Sequence, residues 1–320
     1  MAKTLEYNAT LVEREDITPQ LAVFRIRPDE PIAGEGPWFI PGQYMVIGLN
    51  NEAVPELGSV RRPMSIASAP ERRDLIEFYI RYVEHAESDN PLTHLLWTIK
   101  PGDRIYARTK PTGKFTLAET CGEDDPRLKV MVAAGTGLAP FLSIARSRAI
   151  REPERSQADL ALIHGVSYSA DLGYVDEIRG LVGKTGLHYL PTVSRASRDP
   201  DGWTGHAGRA ESFFLPEELG ALERSVGLDP GGLLPSNVQI LICGLQGTIG
   251  STITRLLGRG FIPDNRRLRR ALEIPEELPA SIFYEAYDTT PPIDVKDEAL
   301  IAKLKAELHT ALAAQGQTAR

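Results

Sequence analysis

The chain has 320 residues, 42% of them hydrophobic and 25% charged, with a formal net charge of −7. That length points to two domains. The sequence has no apolar run of about 18 residues to cross a bilayer, and its acidic balance disfavours nucleic acid as a bulk partner. Cys121 and Cys243 stand far apart and the six histidines are scattered, so a cysteine-ligated iron–sulfur cluster is excluded and no metal site is expected.

The N-terminus carries acids early and has no continuous apolar stretch, so it does not read as a secretory signal and a cytoplasmic location is expected. From about Leu5 to Thr116 short alternating apolar stretches are broken by Pro and Gly. Examples are Leu21 to Arg27, Tyr44 to Leu49, Leu75 to Val83 and Arg104 to Arg108. Many short strands with turn signals between them predict a small antiparallel barrel. One stretch, Pro91 to Trp97, reads instead as a helix.

The polar segment Glu119 to Arg127 lacks periodicity and is expected to join the two domains. After it the rhythm changes. Leu128 to Ala134, Asp159 to His164 and Val238 to Cys243 read as buried parallel strands with helical stretches between them, which is a doubly wound pattern. Beyond Tyr287 comes Thr289-Thr290-Pro291-Pro292, then Leu300, Leu304, Leu308 and Leu312 at i, i+4 spacing on a predicted amphipathic helix.

The clearest chemical signal is Gly135-Thr136-Gly137-Leu138-Ala139-Pro140-Phe141, directly after a buried strand. Glycines allow the backbone to approach a pyrophosphate, and Pro140 suits the first turn of a helix whose N-terminus faces those charges. A tight turn without a ligand is the bland alternative, and the strand and the Pro argue against it. The second signal is Arg61-Arg62-Pro63-Met64-Ser65, where an Arg and a small hydroxyl can pair a phosphate and place a donor beside a flavin ring; read alone, the stretch is equally an ordinary strand with a charged start.

The order of these motifs resembles the plant- and bacterial-type ferredoxin-NADP reductase family. The resemblance rests on Arg62 to Ser65, Gly113-Lys114-Phe115-Thr116-Leu117, Gly135 to Phe141, Cys243-Gly244-Leu245-Gln246-Gly247 and Glu285-Ala286-Tyr287, and it covers residues 5 to 288. It implies an FAD-binding barrel over 1–122 and a Rossmann-like NADP-binding α/β domain over 123–290; the predicted helix adds a C-terminal extension over 291–320 that the resemblance does not cover. It further implies that Arg62 pairs the FAD pyrophosphate with help from Thr93, and that Ser65 hydrogen-bonds the flavin near N5. Ser65, Cys243, Glu285 and Tyr287 form the expected catalytic set around the nicotinamide and flavin rings. Pro63, Met64, Arg81, Gly113 and Lys114 join the flavin-binding group. Gly135, Thr136, Gly137, Pro140 and Gly244 join the nucleotide-binding group.

Ser194-Arg195 resembles the family's pair for a 2′-phosphate, which favours NADP over NAD. Ser167 and His206 stand where some relatives carry arginines, and Arg198 and Arg209 can compensate. Two features depart from the family: Met64 replaces a stacking Tyr, a role open to Tyr44 or Tyr82, and Tyr287 is followed by a tail. The expected partner is an acidic ferredoxin or flavodoxin, with Arg266 to Arg270 either its docking patch or a solvated helix face. A flavin or oxygenase reductase and an electron-transfer subunit are the rival readings. The tail's Leu stripe is expected to pack on the flavin domain, on a second copy in a homodimer, or on a partner.

Overall fold

The structure, a computed structural model, describes residues 4–316; the outer ends of the first and third expected segments, 1–3 and 317–320, lie outside the described residues. The chain divides into two compact units. The first runs up to Thr116 and takes in Leu138–Pro153; the second comprises Leu117–Gly137 and everything from Glu154 onward. Among the described residues each unit holds one six-stranded sheet.

In the first unit the strands are β1 (Ala9–Thr18), β2 (Leu21–Pro28), β3 (Tyr44–Asn50), β4 (Ser59–Ser65), β5 (Ile76–Arg81) and β6 (Arg104–Ala107), in spatial order β4-β3-β6-β1-β2-β5. All neighbours are antiparallel. A bridge from Ile66, just past β4, to Phe78 in β5 closes the row into the expected barrel. Inward side chains such as Leu11, Phe24, Ile26, Ile47, Ile76 and Phe78 fill it, each at most 1% exposed. The predicted helix forms as α1 (Leu92–Leu96).

Helix α2 (Leu138–Arg151) belongs to this unit. Ser143 Oγ donates to the Ser68 carbonyl at 2.8 Å, and Ser147 Oγ donates to Glu71 at 2.8 Å. Arg146 and Arg25 both bond the buried carboxylate of Glu77, at 2.5 and 2.6 Å. Burial pushes that carboxyl up, and the two guanidiniums outweigh it and hold it below the ordinary carboxylate range.

In the second unit β7 (Leu128–Ala134), β8 (Leu160–Val166), β9 (His188–Val193), β10 (His206–Ala207), β11 (Val238–Gly244) and β12 (Ile282–Ala286) are parallel, in the order β10-β9-β8-β7-β11-β12. Strands β7 and β11 are Val-, Ile- and Leu-rich and buried almost throughout, as central strands covered on both faces must be. The chain steps outward from β7 through β8, β9 and β10, with α3 (Val175–Thr185) after β8 and α4 (Pro216–Ser225) after β10, then returns to add β11 on the other side of β7. The order therefore reverses between β7 and β11, and in such sheets ligands bind where the order reverses, at the carboxyl ends of the strands.

The tail does not seek any of the three surfaces expected for it. Helix α7 (Glu298–Ala314) starts at Asp297, whose side chain accepts from the Leu300 amide, and lays Leu304, Leu308 and Leu312 into the core of the second unit. There they join Ile249, Ile253, Leu256 and Leu257 of α5 (Gln246–Leu257), together with Phe261 and Leu272. The apolar stripe is satisfied within the chain. The connector crosses α5 so closely that a Cβ on Gly250 would stand 2.2 Å from the Pro292 carbonyl oxygen.

Candidate active site

The site elements of the second unit meet at the reversal point. After β7 the turn Gly135–Gly137 begins with Gly135 at φ +56°, a left-handed conformation that favours glycine, and it leads straight into α2. Gly137 has a different reason to be glycine: a Cβ there would lie 2.0 Å from the carbonyl oxygen of Cys243. At the end of β11, Gly244 has φ +137° and its Cβ would meet Ala134 Cβ at 2.8 Å. These two glycines bring the ends of β7 and β11 into backbone contact.

Register carries the other residues there. Cys243 pairs with Ala133 on one side and Glu285 on the other, and Gly244 pairs with Ala286. Tyr287 follows; its amide donates to the Gly244 carbonyl at 3.2 Å and its hydroxyl donates to the Thr136 carbonyl at 3.1 Å. The structure thus gathers Thr136, Gly137, Cys243, Gly244, Glu285 and Tyr287. The Cys243 thiol is fully buried. Desolvation and the neighbouring Glu285 carboxylate push its pKa well up, against a hydrogen bond with Tyr287, so the sulfur stays protonated and uncharged at neutral pH. Leu245, 63% exposed at the same edge, was not foreseen as a site residue.

One sheet position further out, the loops after β8 and β9 carry Ser194 and Arg195. The Ser194 amide donates to the Val166 carbonyl at 2.9 Å and the Arg195 amide to the Ser167 carbonyl at 3.1 Å. The Arg195 side chain is exposed and reaches the Tyr168 hydroxyl at 3.1 Å. Arg198 is exposed on the same loop. His206 is engaged otherwise: its Nδ1 lies 2.8 Å from Thr192 Oγ1 and its ring stacks on Phe213.

In the first unit Arg61, Arg62 and Pro63 are exposed on β4, while Ser65 is buried. An open groove of about 380 Å³ is lined by Leu57, Ser59, Val60, Arg61, Arg62, Ser88 and Asn90. Two guanidiniums, two hydroxyls and an amide around such a groove suit an anionic ligand segment. Asn90 is held by Asn51 and by the Leu57 carbonyl, so its amide is fixed in place. Thr93 lies on α1, buried, with its Oγ1 accepting from the Val83 amide at 3.4 Å.

Ser65 is opposite Tyr44 in the β3–β4 ladder, and a Cβ on Gly113 would lie 3.0 Å from the Tyr44 ring. Lys114 is exposed beside it. Met64 packs against the barrel core, and Tyr82 stacks on His94 at 4.6 Å. Arg81 ends β5 opposite Leu21. Pro140 is buried in α2. Asn90 directly precedes Pro91 at the helix start, and that adjacency was the available hint to it.

A doubly wound sheet with a glycine-rich turn at its reversal point defines a dinucleotide-binding class, here in a chain that also holds a closed antiparallel barrel. Comparisons with known proteins carry this further. Residues 131–252 match the family described as oxidoreductase NAD-binding domain. The chain is 30% identical over 234 residues to a ferredoxin–NADP reductase of Azotobacter vinelandii, across 70% of this chain and 80% of that protein. It is equally identical over 228 residues to one from Pseudomonas aeruginosa, across 67% and 76%. A ferredoxin NADP+ reductase structure from Neisseria gonorrhoeae with bound FAD and NADP superposes with a TM-score of 0.66, at 23% identity over 88% of this chain and 98% of that one.

The chain belongs to the ferredoxin–NADP reductase family. It is an oxidoreductase, and the expected FAD and NADP are that family's cofactors. Among the described residues no helix is long and apolar enough to cross a membrane.

Proposed function

We propose that the chain exchanges two electrons with NADP(H) and single electrons with a ferredoxin- or flavodoxin-type carrier, using FAD as the intermediary, in the cytoplasm. One observation carries this reading: Thr136, Cys243, Glu285 and Tyr287 converge at the reversal point, where Gly137 and Gly244 let the ends of β7 and β11 meet through backbone.

Bound FAD supplies hydride chemistry at N5 toward the nicotinamide and one-electron chemistry toward the carrier. The protein's own residues bind and orient. Arg62, Arg61 and Ser59 hold the flavin's pyrophosphate segment in the groove on β4. Ser65 offers its hydroxyl to the flavin ring. The turn Gly135–Gly137 and Gly244 receive the dinucleotide, and Ser194 with Arg195 selects the 2′-phosphate. The neutral Cys243 thiol presents no charge of its own beside the reacting rings, and Glu285 is its register partner on β12. Arg266, Arg267 and Arg270 are exposed on α6 (Arg266–Ala271) and offer positive charge to an acidic carrier, while Arg269 is turned onto the Pro275 and Leu278 carbonyls.

The test is direct. The purified protein should be yellow, release FAD on heating, be bleached by NADPH in a stopped-flow experiment and then reduce ferredoxin or flavodoxin faster than free FMN. A colourless protein that cannot be reconstituted would sink the reading. A second reading, the reductase component of an oxygenase, is favoured by 30% identity over 190 residues to the reductase subunit of an aromatic O-demethylase from Amycolatopsis. This chain spans 52% of that subunit. Faster reduction of an oxygenase partner than of ferredoxin would select it.

A further inference from the structure

The loops after β8 and β9 are tied by a set of contacts centred on Tyr168, a residue outside the motifs named above. Arg195 Nη1 donates to the Tyr168 hydroxyl at 3.1 Å, and its guanidinium carbon lies 5.3 Å from the centre of the Tyr168 ring. Tyr168 is itself half-buried and anchored. Immediately after it, the Ser169 amide and hydroxyl donate to the two carboxylate oxygens of Asp199, at 2.6 and 2.8 Å. Asp199 sits four residues after Arg195 on the partner loop, and those amide bonds hold its carboxyl below the ordinary range.

A free arginine side chain samples many rotamers, and ordering it costs binding free energy. Here the tyrosine hydroxyl holds one nitrogen and the ring backs the cation, while the remaining guanidinium donors stay available for a phosphate. The Asp199–Ser169 pair fixes the tyrosine's own backbone.

We infer that Tyr168 is a positioning residue for the 2′-phosphate of NADP(H), acting through Arg195. The inference rests on the proposed role of Ser194 and Arg195 and adds a residue drawn from a different strand end. Tyr168 is thereby a determinant of NADP over NAD preference.

The experiment is a double-mutant cycle read by calorimetric binding, with adenosine 2′,5′-bisphosphate and adenosine 5′-monophosphate as the two probes. An exposed contact of a cation with an aromatic face is worth about 2- to 5-fold in affinity, and a hydrogen bond on the arginine a similar factor. Tyr168→Ala should therefore weaken the bisphosphate roughly 5- to 20-fold, Tyr168→Phe roughly 2- to 5-fold, and neither should move the monophosphate. In an Arg195→Ala background the Tyr168 substitutions should have no further effect. Steady-state turnover should follow the same split, with KM for NADPH raised and kcat retained.

The inference is overturned if Tyr168→Ala leaves bisphosphate affinity unchanged, or weakens both probes alike, or acts equally with Arg195 removed. If Arg195→Ala itself fails to discriminate the two probes, the 2′-phosphate role of Arg195 falls first, which is a separate result read from a separate variant.

Discussion

Gly137 and Cys243 touch through backbone alone: the position of a Cβ on Gly137 is 2.0 Å from the Cys243 carbonyl oxygen, whereas a Cβ on Gly135 would meet nothing within 4 Å. Two glycines of one motif thus serve different ends, conformation at 135 and space at 137. Gly135→Asn should be tolerated, because Asn enters the left-handed region at small cost. Gly137→Ala must push β7 and β11 apart, costing about 1–3 kcal/mol, and should weaken NADPH binding at least roughly tenfold. Thermal unfolding and nucleotide titration of both variants check this; equal behaviour of the two would refute it.

Arg62 lines the groove on β4 with its guanidinium exposed, and its hydrogen bond to the Arg61 carbonyl leaves further donors for phosphate. Arg62→Ala should lower FAD affinity by roughly ten- to hundredfold, the range of one charge-assisted hydrogen bond. Equilibrium dialysis of the flavin measures it, and Arg62→Lys should recover part of the loss. Retention of FAD at wild-type affinity in Arg62→Ala would rule the role out.

His164, in β8, is fully buried, and burial pulls its pKa down from 6.5 to about 3; Nδ1 lies 3.2 Å from the Tyr189 hydroxyl. The unfolded chain takes up this proton near pH 6.5 while the folded chain stays neutral down to about 3. The unfolded state therefore binds more protons throughout that window, and stability falls as pH falls. The slope from this group is about 1.4 kcal/mol per pH unit, so about 2 kcal/mol is lost between pH 6.5 and 5. Urea unfolding at pH 7 and pH 5 should show that difference shrinking by this amount in His164→Gln. An unchanged pH dependence would mean the imidazole titrates normally.

Leu304, Leu308 and Leu312 are at most 3% exposed against α5. Leu308→Ala should cost about 2–5 kcal/mol, and the melting temperature should drop by roughly 5 °C or more. A chain ending at Asp288 would expose the whole stripe of α5 and should aggregate or melt early. A truncated protein with unchanged melting temperature would contradict this packing.

Strands β2, β3, β5 and β6 were legible from short apolar stretches between Pro and Gly breaks, and β7, β8 and β11 from continuous apolar runs, whereas β1, β9, β10 and β12 were not singled out. The reversal-point residues were legible because Gly-x-Gly after a buried strand has few other uses. What α7 covers was not. Its counterface on α5 is the continuation of an ordinary sheet-packing helix, and nothing in Ile249, Ile253 or Leu256 says that a second helix shares it. The pairing of Tyr168 with Arg195 was hidden for another reason: the residues are 27 apart and meet only because the sheet sets β8 beside β9.

The assignment of α2 to the barrel unit has a practical outcome for anyone dissecting the molecule. The peptide passes from one unit to the other at Thr116, at Gly137 and again at Pro153, so no single cut yields two intact halves. A contiguous N-terminal fragment would leave Glu77 with Arg25 but without Arg146, and would strip the Ser68 carbonyl and Glu71 of their helix donors. Flavin binding in isolation is better sought by grafting residues 138–153 back onto the barrel than by trimming the C-terminal side.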